Sequence, residues 1–185
     1  PNKDFKIAIL STDTINAYSC PGGYIFVTLG LLKVVSSEAE LACILAHEIA
    51  HITEKHILKE IKRANILSEG TEIIAEKTTG GRGIGKDLAK KLSKKAMETL
   101  LKKGLAKKDE YRADEIGFEI SCKAGYSSKE YLEFLKKLDK MTKEPGMAVL
   151  MKTHPTPESR IKELKNKDCS SKQILKERFK ERINL

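Results

Sequence analysis

The sequence contains no tryptophan, and aromatic residues are only 5% of its 185 positions. A core of Ile, Leu, Val and Ala is therefore expected. It has no run of about 18 apolar residues, the least that crosses a bilayer as a helix, so no membrane span is expected. Its four cysteines, Cys20, Cys43, Cys122 and Cys169, lie far apart. That excludes CxxC redox and zinc-ribbon spacings. Four are too few for a disulfide scaffold in a chain this long, and Cys43 and Cys122 read as small buried hydrophobes. There is no internal repeat. Pro1-Asn2 opens the chain without a Met or a signal-like apolar stretch, so the expectation is a removed targeting segment or a fragment of something longer.

What is present is 40% hydrophobic and 33% charged residues. This supports a real core under a charged surface and excludes global disorder. Lys and Arg number 35 against 26 Asp and Glu, a net charge of +9. Such a balance suits nucleic acid or an anionic membrane surface. The excess is mostly Lys spread along the chain, as in Lys90-Lys91, Lys94-Lys95, Lys102-Lys103 and Lys107-Lys108. With few aromatics, little Arg and no recognised motif, nucleic acid is the weaker partner.

Residues 5–10 read as a strand, 15–20 as a second extended run and 24–29 as a third, with Pro21-Gly22-Gly23 turning the chain between the last two. The pattern then becomes helical. Ser37 followed by Glu40 is a capping-box arrangement. Leu41, Ile44, Leu45, Ala46, Ile49 and Ile52 form an apolar band at helical spacing, so a helix is expected from 37 to about 62. Further helices are expected over 68–77, 87–103 and 107–123. Ser127 with Glu130 is read as a second capping box opening 128–142. Thr156 caps a later helix with Pro157 in its first turn, and the tail from Asp168 is a basic amphipathic piece.

The chemistry lies in His47-Glu48-Ile49-Ala50-His51, an HExxH segment. Residues four apart share a helix face, so both imidazoles can reach one ion. Neutral imidazoles suit zinc, and three protein ligands leave one position for water. Glu48 sits to the side, where it can take a proton from that water. Two His and a Glu within an apolar band require partners in any case. A third ligand is offered by Asp109-Glu110-Tyr111-Arg112-Ala113-Asp114, with Glu110 on the metal and Asp114 behind a ligand His. By itself an ordinary charged helix face is the simpler account of that segment, and Asp109 or Glu115 fits it too. Gly80–Asp87 matches GxxxxGK, but Asp87 stands where a magnesium-binding Ser or Thr belongs and no strand precedes it, so it is read as a loop and not a nucleotide site.

HEIAH, EYRAD and THPTPESRI in this order, with Ile15-Asn16-Ala17-Tyr18 and Pro21-Gly22-Gly23-Tyr24 ahead of them, resemble the gluzincin metallopeptidases related to HtpX, the CAAX prenyl endopeptidases and the periplasmic BepA-type proteases. The resemblance spans about residues 15–165, and the span-free form with Pro-Gly-Gly looks most like the BepA-type branch. It implies an α+β, mostly α, zincin-like domain over 1–167 with a small sheet beside the HExxH helix, and a basic helical extension over 168–185. It implies one zinc ion on His47, His51 and Glu110, Glu48 as general base and Asp114 orienting His47. His154 would either donate to the oxyanion or occupy the open position on zinc and hold the enzyme off. Arg160 would bind a substrate carbonyl or carboxylate, or make a helix-surface ion pair. Asn16, Ala17 and Tyr18 would form the edge strand on which an extended peptide docks. The implied function is a zinc endopeptidase acting on unfolded or misfolded chains in quality control at an envelope or membrane surface, in a periplasmic or membrane-associated setting. A latent zinc protein blocked by His154 or the tail is the alternative within the same fold.

Overall fold

The computed structural model describes residues 4–63 and 103–183. The helices expected over 68–77 and most of 87–103, the Gly80–Asp87 segment, and the lysine pairs from Lys90 to Lys95 lie outside them.

Three strands, β1 (Lys6–Leu10), β2 (Ala17–Cys20) and β3 (Tyr24–Thr28), form one sheet in the order β1-β3-β2. β2 and β3 are the antiparallel hairpin expected around Pro21-Gly22-Gly23, with Ala17 opposite Val27 and Cys20 opposite Tyr24. β1 joins the other side of β3 in parallel. β2 is thus an edge strand. Thr28 ties its start in place. The Thr28 hydroxyl donates to the Asn16 carbonyl at 2.8 Å, accepts from the Asn16 amide at 3.1 Å, and caps α1 (Leu29–Val34) by accepting from the Leu31 amide.

α2 (Glu38–Thr53) begins where its capping residues lie: Ser37 Oγ accepts from the Glu40 amide at 3.1 Å. The Glu40 carboxylate reaches the Ser36 amide rather than that of Ser37, and Lys137 donates to both its oxygens. The helix does not run on to residue 62. It ends at Thr53, the chain turns through Lys55 at φ 58°, and helix resumes over 56–63.

α3 (Lys107–Lys123) lies along α2. Gly117 is where they meet, because a Cβ there would fall 2.9 Å from the His47 amide nitrogen. Only glycine allows the two backbones this close, and the approach brings the α3 carboxylates up to the α2 imidazoles. α4 (Lys129–Lys140) starts at Ser128 without a side-chain cap. The capping box read at Ser127 and Glu130 is therefore absent; Ser128 Oγ instead donates to the Phe118 carbonyl and ties the turn to α3.

A 3-10 turn at Pro145–Met147, α5 (Ala148–Thr153) and α6 (Pro157–Leu164) follow, and Thr156 caps α6 with Pro157 in its first turn as expected. The segment after Asp168 lies against the rest of the fold. Phe179 of α7 (Lys176–Arg182) is buried, and Arg178 donates to Glu38 at the start of α2. Cys122 is not the free buried hydrophobe expected of it: it forms a disulfide with Cys169, across a Cα separation of 5.9 Å. The sequence could not reveal this pairing because the two residues are 47 positions apart. Cys43 is a free buried thiol. No helix among the described residues is long and apolar enough to cross a membrane.

Candidate active site

His47 and His51 sit one turn apart on the inner face of α2, both about 3% exposed. Their Nε2 atoms face each other at 2.9 Å. Glu110, in the first turn of α3, closes the third side. Its Oε2 is 3.6 Å from His47 Nε2 and its Oε1 is 3.6 Å from His51 Nε2. Glu110 is 1% exposed, and its Oε2 has no hydrogen-bond donor among the described residues. Two neutral imidazoles would aim lone pairs at one another while a buried carboxylate oxygen stays unpaired. The cluster is either bridged by a proton on His47 or holds a cation, and its two nitrogens and one carboxylate are the donor set that suits zinc. The three residues fit a metal.

Proton affinities follow this crowding. Burial pulls the His47 pKa down, but the carboxylates of Asp114 and Glu110 outweigh it and raise the value to about 9. His51 is held well below its ordinary value by burial and by the neighbouring His47. Burial would raise Glu110, yet the surrounding His154, His47 and His51 bring it down to about 2.

Behind His47 stands a buried polar group of three residues from three helices. Asp114 Oδ1 lies 2.9 Å from His47 Nδ1. Tyr131 of α4 donates its hydroxyl to the same oxygen at 2.8 Å. Arg160 of α6 donates from Nε to Asp114 Oδ2 at 2.9 Å and from Nη2 to Oδ1 at 2.6 Å. Arg160 is 4% exposed, so the surface ion pair considered for it is wrong. Its fork is engaged with Asp114, while it also lines a small cavity with Asn16, His47 and His154. Tyr131 carried no signal in the sequence beyond its place on an apolar helix face.

Glu48 is buried beside the imidazoles, on the wall that also carries Asn16, Ala17 and Tyr18. Burial raises its carboxyl above the ordinary range, opposed by the charge of His47 and a hydrogen bond from Ser19. Asn16 is 1% exposed, and neither its Oδ1 nor its Nδ2 has a partner among the described residues. Its backbone is pinned by Thr28 while its amide group stands unpaired beside the cleft.

His154 closes the opposite wall, with Nε2 3.6 Å from Glu110 Oε2. Burial lowers its pKa to about 4, so it is neutral at pH 7. Thr153 Oγ1 donates to the Val149 carbonyl at 2.9 Å, so it accepts the proton on His154 Nδ1 at 2.9 Å. That leaves His154 Nε2 as a bare lone pair aimed at the cluster. The segment is held by Gly104, where a Cβ would fall 1.7 Å from the Thr153 carbonyl oxygen.

One histidine escaped the sequence reading. His56 is 1% exposed, and its Nδ1 is 3.0 Å from His51 Nδ1. A helix unbroken to residue 62 would have turned it away from His51.

The model of peptidase family M48 matches residues 1–168. Beta-barrel assembly-enhancing proteases are similar: that of Yersinia pestis is 27% identical over 176 residues, 88% of this chain and 34% of the relative. That of Escherichia coli (strain K12) is 28% identical over 174 residues, again 88% and 34%. The mitochondrial metalloendopeptidase OMA1 of Schizosaccharomyces pombe is 27% identical over 161 residues, 86% of this chain and 45% of the relative. The chain therefore spans about a third of the length of the bacterial relatives it matches. With the match covering nearly all of a mostly helical fold whose sheet flanks an HExxH helix, the chain belongs to peptidase family M48, the zincin-like metallopeptidases.

Proposed function

We propose that this chain is a zinc-dependent endopeptidase domain that cuts extended segments of unfolded or misfolded polypeptides. The observation that carries this is the convergence of His47, His51 and Glu110, whose Oε2 has no hydrogen-bond partner among the described residues, beside a buried Glu48. Zinc bound there would supply a Lewis acid for the scissile carbonyl and an activated water. Glu48 takes the proton of the attacking water and returns it to the departing amine, a task suited to a carboxyl whose affinity for protons burial has raised. Asp114 accepts from His47 Nδ1 and leaves its Nε2 free to ligate, with Arg160 and Tyr131 fixing the Asp114 carboxylate.

Substrate binding is read from the sheet. The edge of β2, which pairs with no further strand among the described residues, can pair with an extended peptide, and the Asn16 amide, unpartnered among the same residues, can bond its backbone. A cavity of about 230 Å³ continues past His51 between Pro21, Ile52 and Leu58, and suits an apolar side chain. Extended backbone and exposed apolar side chains are what an unfolded chain offers and a folded one withholds. Residues 1–167 are read as the peptidase unit and 168–185 as the piece that the Cys122–Cys169 disulfide fastens to it. A disulfide suits an oxidising compartment, which favours an extracytoplasmic or membrane-associated setting. The +9 charge suits an anionic lipid surface there. Vesicle binding that is present at low salt and lost at high salt is expected; none at low salt refutes the lipid contact.

The test is metal analysis beside casein digestion with and without a chelator. One zinc per chain and chelator-sensitive cleavage are expected. Glu48→Gln should keep the zinc and lose about a hundredfold or more in turnover. Undiminished cleavage by that variant refutes the role of Glu48.

The bare Nε2 of His154 favours a second reading, a latent enzyme in which this nitrogen takes the position that water needs. His154→Ala then raises casein cleavage at unchanged zinc content. A fall in cleavage instead assigns His154 to the substrate side of the reaction.

A further inference from the structure

We infer that His56 is a positioning residue that fixes the tautomer and the angle of His51, and is itself directed by Asp109. The inference rests on the zinc-peptidase reading and extends it to a residue outside the HExxH and carboxylate motifs.

It begins with the backbone. In a continuous helix a residue five positions on is rotated by about 140°, so His56 would face away from His51. The turn at Glu54–Lys55, with Lys55 in the left-handed region at φ 58°, restarts the helix at His56 and swings its ring back. The rings then meet edge to face, centroids 5.2 Å apart, with Nδ1 to Nδ1 at 3.0 Å. His56 Nε2 points toward Asp109 Oδ1 at 4.0 Å, and Arg63 Nη1 lies 3.5 Å from the other Asp109 oxygen. Among the described residues His56 has no other side-chain polar partner.

The proton positions along this chain have one solution. Two ring nitrogens at hydrogen-bonding distance require that one carry the proton and the other not. His51 must keep Nε2 free to ligate, so its proton is on Nδ1 and it donates to His56. His56 Nδ1 then accepts, and its own proton sits on Nε2, toward the Asp109 carboxylate. Partners of this kind hold the ring orientation of a metal-ligating His and raise its basicity. The two ligands are therefore supported unequally: His47 directly by a carboxylate, His51 by a neutral imidazole with a carboxylate behind it at longer range. Asp109, which the sequence offered only as part of a charged helix face, gains a role through His56.

Two measurements test this. Long-range proton–nitrogen spectra of the zinc-loaded parent should show His56 protonated at Nε2 and bare at Nδ1; the opposite tautomer overturns the inference without any variant. Zinc affinity by chelator competition should fall about 10- to 100-fold in His56→Leu, and be largely kept in His56→Asn, whose side-chain oxygen can accept the same proton. His56→Leu that folds and holds zinc as tightly as the parent overturns the inference, while a parent that cleaves casein leaves the peptidase reading standing. A parent that takes up no zinc overturns both. Should His56→Leu not fold, the tautomer of the parent decides.

Discussion

Asp114→Asn removes the charge but not the shape at the centre of the group behind His47. Asp114 is fully buried and Arg160 is 4% exposed, so the substitution leaves a guanidinium uncompensated in the interior. Breaking one side of a buried pair costs about 3–5 kcal/mol. Here two charge-assisted bonds to Arg160 and the Tyr131 hydroxyl bond are disturbed together, which places the loss toward the upper end. His47 also loses its charged acceptor, so zinc affinity should fall about 10- to 100-fold. The two effects can be separated. Replacing both partners, Asp114→Leu with Arg160→Met, removes the stranded charge along with its partner and should recover most of the stability. It should not recover zinc binding, because no acceptor returns to His47 Nδ1. Urea unfolding of the single, double and parent proteins without metal gives the first quantity, and chelator competition gives the second. A single variant that loses less than about 1 kcal/mol would show that Arg160 is not held by Asp114. A double variant that regains zinc binding would show that Asp114 acts by packing alone.

Three further outcomes follow from the same geometry. Gly117→Val forces a side chain against the His47 backbone, so it should separate α2 from α3 and abolish zinc uptake; unchanged zinc affinity would deny that the close approach sets the site. Losing the Cys122–Cys169 link frees a loop of 47 residues, worth up to about 4 kcal/mol of chain entropy, so Cys122→Ser with Cys169→Ser should melt about 8–16 °C lower; coincident melts refute it. In acid, Glu110 and Asp114 act alike. Burial raises each carboxyl, but His154 for Glu110 and Arg160 for Asp114 outweigh it and lower both values, Glu110 from 4.5 to about 2. A group with a depressed folded value contributes stability above its unfolded value and loses it as pH falls. The metal-free protein should therefore keep this stability above about pH 5 and lose it progressively toward pH 2, and urea midpoints that stay flat across that window refute the assignment.

The helices that carry the candidate site are legible because each announces itself locally. Ser37 caps α2, the apolar band fixes which face is inside, and His47 and His51 fall on that face by spacing alone. Glu110 and Asp114 share a face of α3 by the same rule. What spacing cannot supply is the meeting of two helices, and that depends on Gly117, a residue with no side chain to read. The same limit hid Tyr131, and hid the partner of Arg160, which the sequence alone offers as a substrate or surface-pair residue. Each looks like an ordinary member of an amphipathic helix until three helices place its polar end on one carboxylate. His56 was hidden differently. Its spacing from His51 argued against contact, and only a left-handed residue at Lys55 reverses that argument, where no glycine or asparagine marks the turn. A non-glycine residue in that region costs of order 1–3 kcal/mol and persists only where the surroundings over-determine it. The packed ring of His56 against His51 is what can hold it, so the support of the second imidazole depends on the left-handed turn at Lys55 and not on the strain stored there. Lys55→Gly, which relieves the strain, should stabilise the fold and leave zinc affinity intact; Lys55→Val should lower both.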